Sequence, residues 1–146
     1  MVKTQLNHMF VDIENSLGIQ PDDAVEFFEE HYGTLSQRRS FLSEQNWSIY
    51  GDNWMKASFS VERCGDGPDA ADLRLINAIV QTISETQSKH HHPGTLCIVT
   101  NGDKIYRHII QLAKKQGWSV VVLSWGQLRG PLSKYIDAHH NLRAVA

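Results

Sequence analysis

Three short runs of the chain are apolar at odd and even positions alike, and they constrain the fold more than any other feature. The runs are "HMFV" (8–11), "TLCIVT" (95–100) and "WSVVVLSW" (118–125). A strand with one face in solvent alternates apolar and polar residues, whereas a strand covered on both faces does not. Because stretches of helical character separate these runs, the sequence predicts an α/β protein. We expect a three-layer sandwich with a central, mostly parallel sheet and helices on both faces.

The remaining segments fill in the predicted order of elements. Helical periodicity, together with Pro21 at a first turn and Gly33 and Gly117 as stops, indicates helices. The predicted helices cover 21–33, 35–46, 69–83 and 104–117. The further predicted strands cover 47–52 ("WSIYGD") and 57–64. A chain of 146 residues has the length of one domain, so we predict a single domain over 1–146 that ends in a short helix and tail over 127–146.

Composition excludes several classes of protein. The formal net charge of −2 does not suit a protein that coats polyanions nonspecifically. No apolar run approaches the ~18 residues of a membrane span, and the first eight residues lack the apolar region of a signal peptide. The two cysteines have no CxxC spacing and are typical of reduced packing residues. We therefore expect a cytoplasmic protein without a membrane segment.

Acids follow three of the predicted strands. Asp12 ends the first, Asp52 ends "SIYGD", and Asp103 follows "CIVTNG". Ligands of parallel sheets bind in the crevice at the carboxyl ends of the strands, so acids at these positions are expected at one edge. An acid after a strand is also an ordinary turn or capping residue, and each of them alone is a weak signal.

The helix predicted over 69–83 carries an acid on its apolar face. At about 100° per residue, the apolar stripe consists of Leu73, Ile76, Ile79, Val80 and Ile83. Asp72 falls on that stripe, and Asp69 joins it if the helix begins there. A carboxylate aimed at the core costs several kcal/mol unless it is paired, hydrogen-bonded or bound to a metal. The alternative is that Asp69 caps the helix and Asp72 supports its first turn.

Asp12, Asp72 and Asp103 are therefore predicted to converge as a carboxylate cluster. Three unpaired carboxylates at short range raise one another's pKa, and a hard divalent cation removes that penalty. Oxygen ligands without cysteine or paired histidine suit Mg²⁺ or Mn²⁺. The chemistry that follows is in-line displacement at phosphorus, with a polarised phosphate and an activated water.

Four segments, in the same order, resemble the NYN group of PIN-like metal-dependent nucleases, near its LabA-like branch. The segments are "FVDIENS", "IYGD", "GPDAADLRLI" and "CIVTNGDKIYRHIIQLAKKQG". They resemble the family's first strand ending in Asp-x-Glu-Asn, its second strand ending in Tyr-Gly-Asp, its acid-bearing helix start, and its strand and helix with Ser-x-Asp. The resemblance covers most of residues 8–125.

The resemblance implies a PIN-like fold and an endoribonuclease that hydrolyses single-stranded or structured RNA with Mg²⁺ or Mn²⁺. It assigns metal ligation to Asp12, Asp72 and Asp103. Asn15 would orient the first acid or contact the substrate, and Thr100 would supply a small hydroxyl before the third acid. Weaker candidates for the site are Glu14, Asp52 and Asp69. Candidate contacts to the RNA backbone are Lys104, Arg107, Arg38 and Arg39.

Two other functions stay open. Many relatives carry a further acid after the third one, where this chain has Ile105 or Arg107, so the alternative is a catalytically silent PIN-like module that binds RNA or a protein partner. A flavodoxin-like nucleotide-binding domain would need a glycine-rich loop after the first strand, where "DIENSLG" stands instead. A homodimer, or a fused or associated targeting domain, is compatible with the nuclease.

Overall fold

A six-stranded, all-parallel sheet forms the middle of the molecule. The computed structural model describes residues 5–145. The strands are β1 (Gln5–Asp12), β2 (Leu35–Ser43), β3 (Ser60–Cys64), β4 (His92–Val99), β5 (Ser119–Ser124) and β6 (Ala138–Asn141). Their order across the sheet is β3-β2-β1-β4-β5-β6. The chain thus builds outward from β1 to β3, returns to the centre at β4, and builds outward again on the other side.

Helices cover both faces of this sheet. The α-helices are α1 (Pro21–Tyr32), α2 (Asp52–Lys56), α3 (Ala70–Ser88), α4 (Arg107–Lys115) and α5 (Leu142–Val145). Phe10 of β1 packs in one apolar cluster with α3 and α4, whereas its neighbours Met9 and Val11 pack in a second cluster with α1, α2 and α5. Successive residues of β1 therefore enter opposite cores, and the predicted three-layer α/β sandwich is confirmed. Within residues 5–145, no helix is both long enough and apolar enough to cross a membrane.

Two predicted elements are wrong. The segment predicted as a helix over 35–46 is the strand β2, which pairs with β1 from Asn7 to Asp12. The segment predicted as a strand over 47–52 is a π-helical turn over Trp47–Gly51 that continues into α2. The ring of Trp47 occupies the space that a side chain at Gly51 would need. This close packing favours the helical turn, although the residues of the segment have strand propensity.

Two further expectations need correction. The tail over 127–146 contains the edge strand β6, which pairs with β5, in addition to a short 3₁₀ helix over Gly130–Lys134 and α5. The buried face of α3 is rotated from the predicted stripe. It consists of Leu75, Ala78, Ile79, Thr82, Ile83 and Thr86, while Leu73 is 52% exposed and Val80 is also exposed.

Candidate metal centre

An acidic cleft opens at the carboxyl edge of the sheet, where β1 and β4 lie side by side. It encloses about 640 Å³. The carboxylates that line it are Asp12, Glu14, Asp66, Asp69, Asp72 and Asp103, and the cations are Lys104 and Arg129. The strand order reverses between β1 and β4, and crevices at such switch points are where open α/β sheets bind ligands. Asp12, Asp72 and Asp103, the three acids predicted to converge, all line this cleft.

Asp12 and Asp72 meet at the hydroxyl of Tyr106. Asp12 ends β1 and is only 3% exposed, and Tyr106 is fully buried. The Tyr106 hydroxyl lies 2.8 Å from Asp12 Oδ2 and 3.1 Å from Asp72 Oδ1. A phenol has one hydrogen to donate, so it fully satisfies one carboxylate at a time. The other carboxylate needs a proton or a cation.

Burial shifts the protonation of this group. Burial, followed by the neighbouring charge of Asp72, raises the pKa of Asp12 from 3.8 to about 8, although the hydrogen bond from Tyr106 lowers it. Burial also raises the pKa of Asp72, against the lowering effect of its hydrogen bonds to Asp12 and Tyr106. The pKa of Tyr106 is raised by burial and by both acids, so its hydroxyl keeps its hydrogen. The free protein therefore holds a proton on the acid pair at neutral pH.

Asp69, Asp72 and Asp103 form an outer group above this pair. One carboxylate oxygen from each lies within 4.8 Å of the other two. Asp69 precedes α3 with a left-handed backbone (φ 60°, ψ 11°), and within the described chain its side chain makes no capping hydrogen bond. Asp69 thus occupies the N-cap position and Asp72 the first turn, as the alternative predicted, but the Asp69 side chain does not cap the helix. Aspartate is one of the few residues that tolerate this backbone conformation.

The outer group fits a small divalent cation. Mg²⁺ binds oxygens at about 2.0–2.1 Å, so ligands of one ion lie no more than about 4.2 Å apart. Because one oxygen of each carboxylate lies within 4.8 Å of the others, the three must draw closer by side-chain rotation to hold one ion. Asp12 lies outside this outer group and reaches it through Asp72. Asp69, a weaker candidate from the sequence, therefore belongs to the outer group.

Asn15 and Thr100 fix the loop that carries Asp103. Asn15 Nδ2 donates to Thr100 Oγ1 at 3.0 Å, and Thr100 Oγ1 also accepts from Gly102 N at 3.2 Å. Asp103 accepts in turn from Ile105 N at 3.0 Å, which caps the 3₁₀ helix over Lys104–Tyr106. Thr100 is fully buried and lies outside the cleft lining, so it positions the loop and does not touch a substrate. Asn15 lines the cleft.

Asn101 joins the loops after β1, β4 and β5. Its backbone N donates to Asn15 O at 2.7 Å, its side-chain Oδ1 accepts from Trp125 N at 2.7 Å, and its carbonyl accepts from Arg129 N at 2.8 Å. The adjacent Gly102 has φ +104°, and a Cβ there would collide with the Arg129 carbonyl oxygen. Only glycine allows the loop to run this close to Arg129.

Two weaker acidic candidates have different positions. Glu14 lines the cleft, but its oxygens accept from Ser43 N and, at 2.6 Å, from Asn46 Nδ2, so it ties the end of β2 to β1. Asp52 lies outside the cleft lining, because the strand expected to end there does not exist. It begins α2 at 77% exposure, with an ion pair of 3.3 Å to Lys56.

The four basic residues predicted to contact RNA lie in different places. Lys104 lines the cleft, whereas Arg107 is exposed at the start of α4 and is not among the lining residues. Arg38 and Arg39 lie in the middle of β2, away from its carboxyl end. Arg38 donates to Ala57 O at 3.1 Å, and Arg39 lies 3.8 Å from a Glu62 oxygen. These two arginines lie outside the cleft lining and contact Ala57 and Glu62, so their contact with RNA stays a prediction.

Tyr106 and Arg129 are site residues that sequence reasoning missed. Tyr106 is buried together with Ile109, Ile110 and Ala113, so it lies on the core side of the segment that leads into α4. A tyrosine on a buried helical face needs a partner for its hydroxyl, and that signal was present in the sequence. Arg129, in "LRGP", reads as an ordinary turn residue, and only the three-dimensional course of the loop brings it to the cleft.

Comparisons with known proteins support the fold. No family model matches the chain, and no curated protein matches it. Among solved structures, the chain is similar to a protein of unknown function from Vibrio parahaemolyticus, with a TM-score of 0.63 and 10% sequence identity. The match covers 94% of this chain and 93% of that chain. At this identity the likeness shows a shared fold alone.

Proposed function

We propose that this protein is a divalent-metal-dependent endoribonuclease of the PIN-like NYN group. The observation that carries the proposal is that acids from β1, from α3 and from the loop after β4 line one cleft at the switch point of a parallel sheet. The segments that resemble the family contain those same acids, Asp12, Asp72 and Asp103. The substrate is single-stranded or structured RNA, and the protein acts in the cytoplasm.

The residues of the cleft divide the work of such a reaction. Asp69, Asp72 and Asp103 hold Mg²⁺ or Mn²⁺, with Asp12 adding charge beneath them. The bound ion supplies polarisation of the phosphate and a lower pKa for the attacking water. The Tyr106 hydroxyl holds Asp12 and Asp72 next to each other, at 2.8 Å from Asp12 Oδ2 and 3.1 Å from Asp72 Oδ1. Asn15 lines the cleft and fixes the loop of Asp103 through Thr100.

The experiment is cleavage of an end-labelled single-stranded RNA with Mg²⁺ or Mn²⁺, and with EDTA. The variants are Asp12→Asn, Asp72→Asn and Asp103→Asn, which keep side-chain volume and remove charge. We expect losses on the order of 100-fold or more, because groups that act directly on the transition state have effects of this size. Asp52→Asn is the matched control, since this acid is exposed and outside the cleft.

Cleavage that persists in all three variants, or that EDTA does not abolish, refutes the proposal. RNA binding without cleavage by the wild type in either metal supports the silent module instead. That outcome would accord with Ile105 and Arg107 standing where relatives carry a further acid.

A further inference from the structure

One wall of the cleft carries Arg129, which forms no ion pair within 4.0 Å with an acid among residues 5–145. The ion pairs within 4.0 Å in the described part of the chain involve other basic residues and leave out both Arg129 and Lys104. Arg129 lines a cleft with six carboxylates, yet its Nη2 donates to the amide oxygen of Asn15. Its positive charge is therefore available to a ligand in the cleft.

Arg129 is also held more firmly than an exposed loop arginine usually is. Its backbone N donates to Asn101 O at 2.8 Å, and its carbonyl packs against Gly102. Asn15, which accepts from the guanidinium, is itself fixed by its 3.0 Å hydrogen bond to Thr100. A guanidinium has five N–H donors, so the bond to Asn15 leaves a free edge. Such an edge binds phosphate oxygens in a two-point manner.

The outer acids of the cleft and Arg129 come from different segments of the chain. The outer acids come from the loop before α3, from α3 itself and from the loop after β4, whereas Arg129 comes from the loop after β5. A polyanion is repelled by the carboxylates except where a cation neutralises them, and it is attracted at Arg129. A chain of phosphodiesters matches this pattern, because its charges repeat along its length.

We propose that Arg129, oriented by Asn15, binds the phosphodiester next to the one at the acidic group. The inference rests on the proposed function, since it assumes that an RNA strand occupies the cleft. In this proposal Arg129 binds a flanking phosphate, and Asn15 orients the guanidinium of Arg129.

The first experiment measures binding of a fluorescent six-nucleotide single-stranded RNA by anisotropy, with Ca²⁺ in place of Mg²⁺, over a series of KCl concentrations. For Arg129→Gln we expect Kd to rise about tenfold, the usual scale for one charge-assisted hydrogen-bonded contact. The slope of log affinity against log salt should fall in magnitude by about 0.7, because one phosphate contact is lost. Arg143→Gln, an exposed arginine outside the cleft, is the matched control and should change neither quantity.

Arg129→Lys separates charge from geometry. It should keep the salt slope and lose part of the affinity, because lysine retains the charge but cannot form the two parallel hydrogen bonds of a guanidinium. Equal thermal melting curves for all variants confirm that folding is not the cause. If Arg129→Gln leaves both Kd and the salt slope unchanged, the proposal is overturned.

The second experiment locates the phosphate. A neutral methylphosphonate, with a 2′-deoxy sugar at that linkage, is moved along the RNA and compared with a 2′-deoxy phosphodiester. At one linkage the wild type should lose about as much affinity as Arg129→Gln does, and the variant should lose little more. Additive losses at every linkage overturn the proposal.

The outcomes distinguish this inference from the proposed function. Cleavage by the wild type, with binding insensitive to Arg129, removes the phosphate site and leaves the nuclease standing. An Arg129-dependent linkage without any cleavage retains the phosphate site in a silent module. If the wild type does not bind the RNA, both are wrong.

Discussion

Replacing Asp12 with asparagine should stabilise the metal-free protein, and increasingly so as the pH rises. Asp12 is 3% exposed beside Asp72, and its pKa is raised from 3.8 to about 8. Between these values the folded protein holds a proton that the unfolded chain has released. A raised acid pKa thus contributes stability at low pH that is lost as the pH rises through the folded-state value. Asparagine keeps the shape and has no such dependence.

The size of the effect follows from proton linkage. One group that is protonated only in the folded state changes the free energy of unfolding by about 1.4 kcal/mol per pH unit. From pH 5 to pH 7, both within the window, the stability of Asp12→Asn relative to wild type should therefore grow by about 2.7 kcal/mol. Differences between variants cancel the titration of the shared groups that do not interact with Asp12, and Asp72 is the shared group that does.

The assay is urea unfolding in EDTA at pH 5, 6 and 7, followed by tryptophan fluorescence, for wild type, Asp12→Asn and Asp52→Asn. Asp52→Asn should track the wild type, because that acid is exposed. Replacing the EDTA with Mn²⁺ at 100 times its Kd should stabilise the wild type by about 2.7 kcal/mol, and the Asp12 variant less. A difference between Asp12→Asn and wild type that does not change with pH would refute the reasoning, since Asp12 would then be ionised in the folded state.

Three further substitutions test the geometry of the site and of α3 by the same unfolding assay. Tyr106→Phe should lower the free energy of unfolding by about 1.5–3 kcal/mol, because two acids lose the hydrogen bond they share; an unchanged value would contradict the bridge. Gly102→Ala should destabilise by about 1–3 kcal/mol through its positive φ and its collision with Arg129, and wild-type stability would show that the loop is not held there. Leu75→Ala should cost about 2–5 kcal/mol and Leu73→Ala about 0.5 kcal/mol or less, and the reverse order would restore the helical face predicted from sequence.

Three interior strands of the sheet were predictable because burial on both faces determines their composition. β1, β4 and β5 are covered on both faces, so neither face has to carry polar residues, and the continuous apolar runs follow. The helix α1 was predictable for a different reason, since Pro21 begins it and Gly33, with φ +105°, follows its last residue. Both signals are local in the chain.

The wrong predictions concern segments whose structure depends on contacts with other segments of the chain. Residues of β2 such as Gln37, Arg38 and Arg39 have good helix propensity or no strong preference for strands, and pairing with β1 and β3 on either side overrides it. In α3 the predicted stripe included the exposed Leu73 and Val80 and left out the buried Leu75. The true face instead takes Thr82 and Thr86, whose hydroxyls donate to carbonyls one turn back and so enter the core without an unmet hydrogen bond.

The topology of the sheet explains why the acids converge in spite of these errors. β1 and β4 are adjacent and parallel, so residues just beyond their carboxyl ends meet whatever the intervening chain does. Asp12 depends on this adjacency, Asp103 also on the hydrogen-bonded loop after β4, and Asp72 on the start of α3 facing the same edge. The choice of which oxygens face one another depends instead on single backbone angles, such as the left-handed φ of Asp69 that brings it beside Asp103. Replacing Asp69 with glycine, which keeps that backbone and removes the carboxylate, should therefore weaken Mn²⁺ binding without disturbing the fold, and unaltered Mn²⁺ affinity by calorimetry would exclude Asp69 as a ligand.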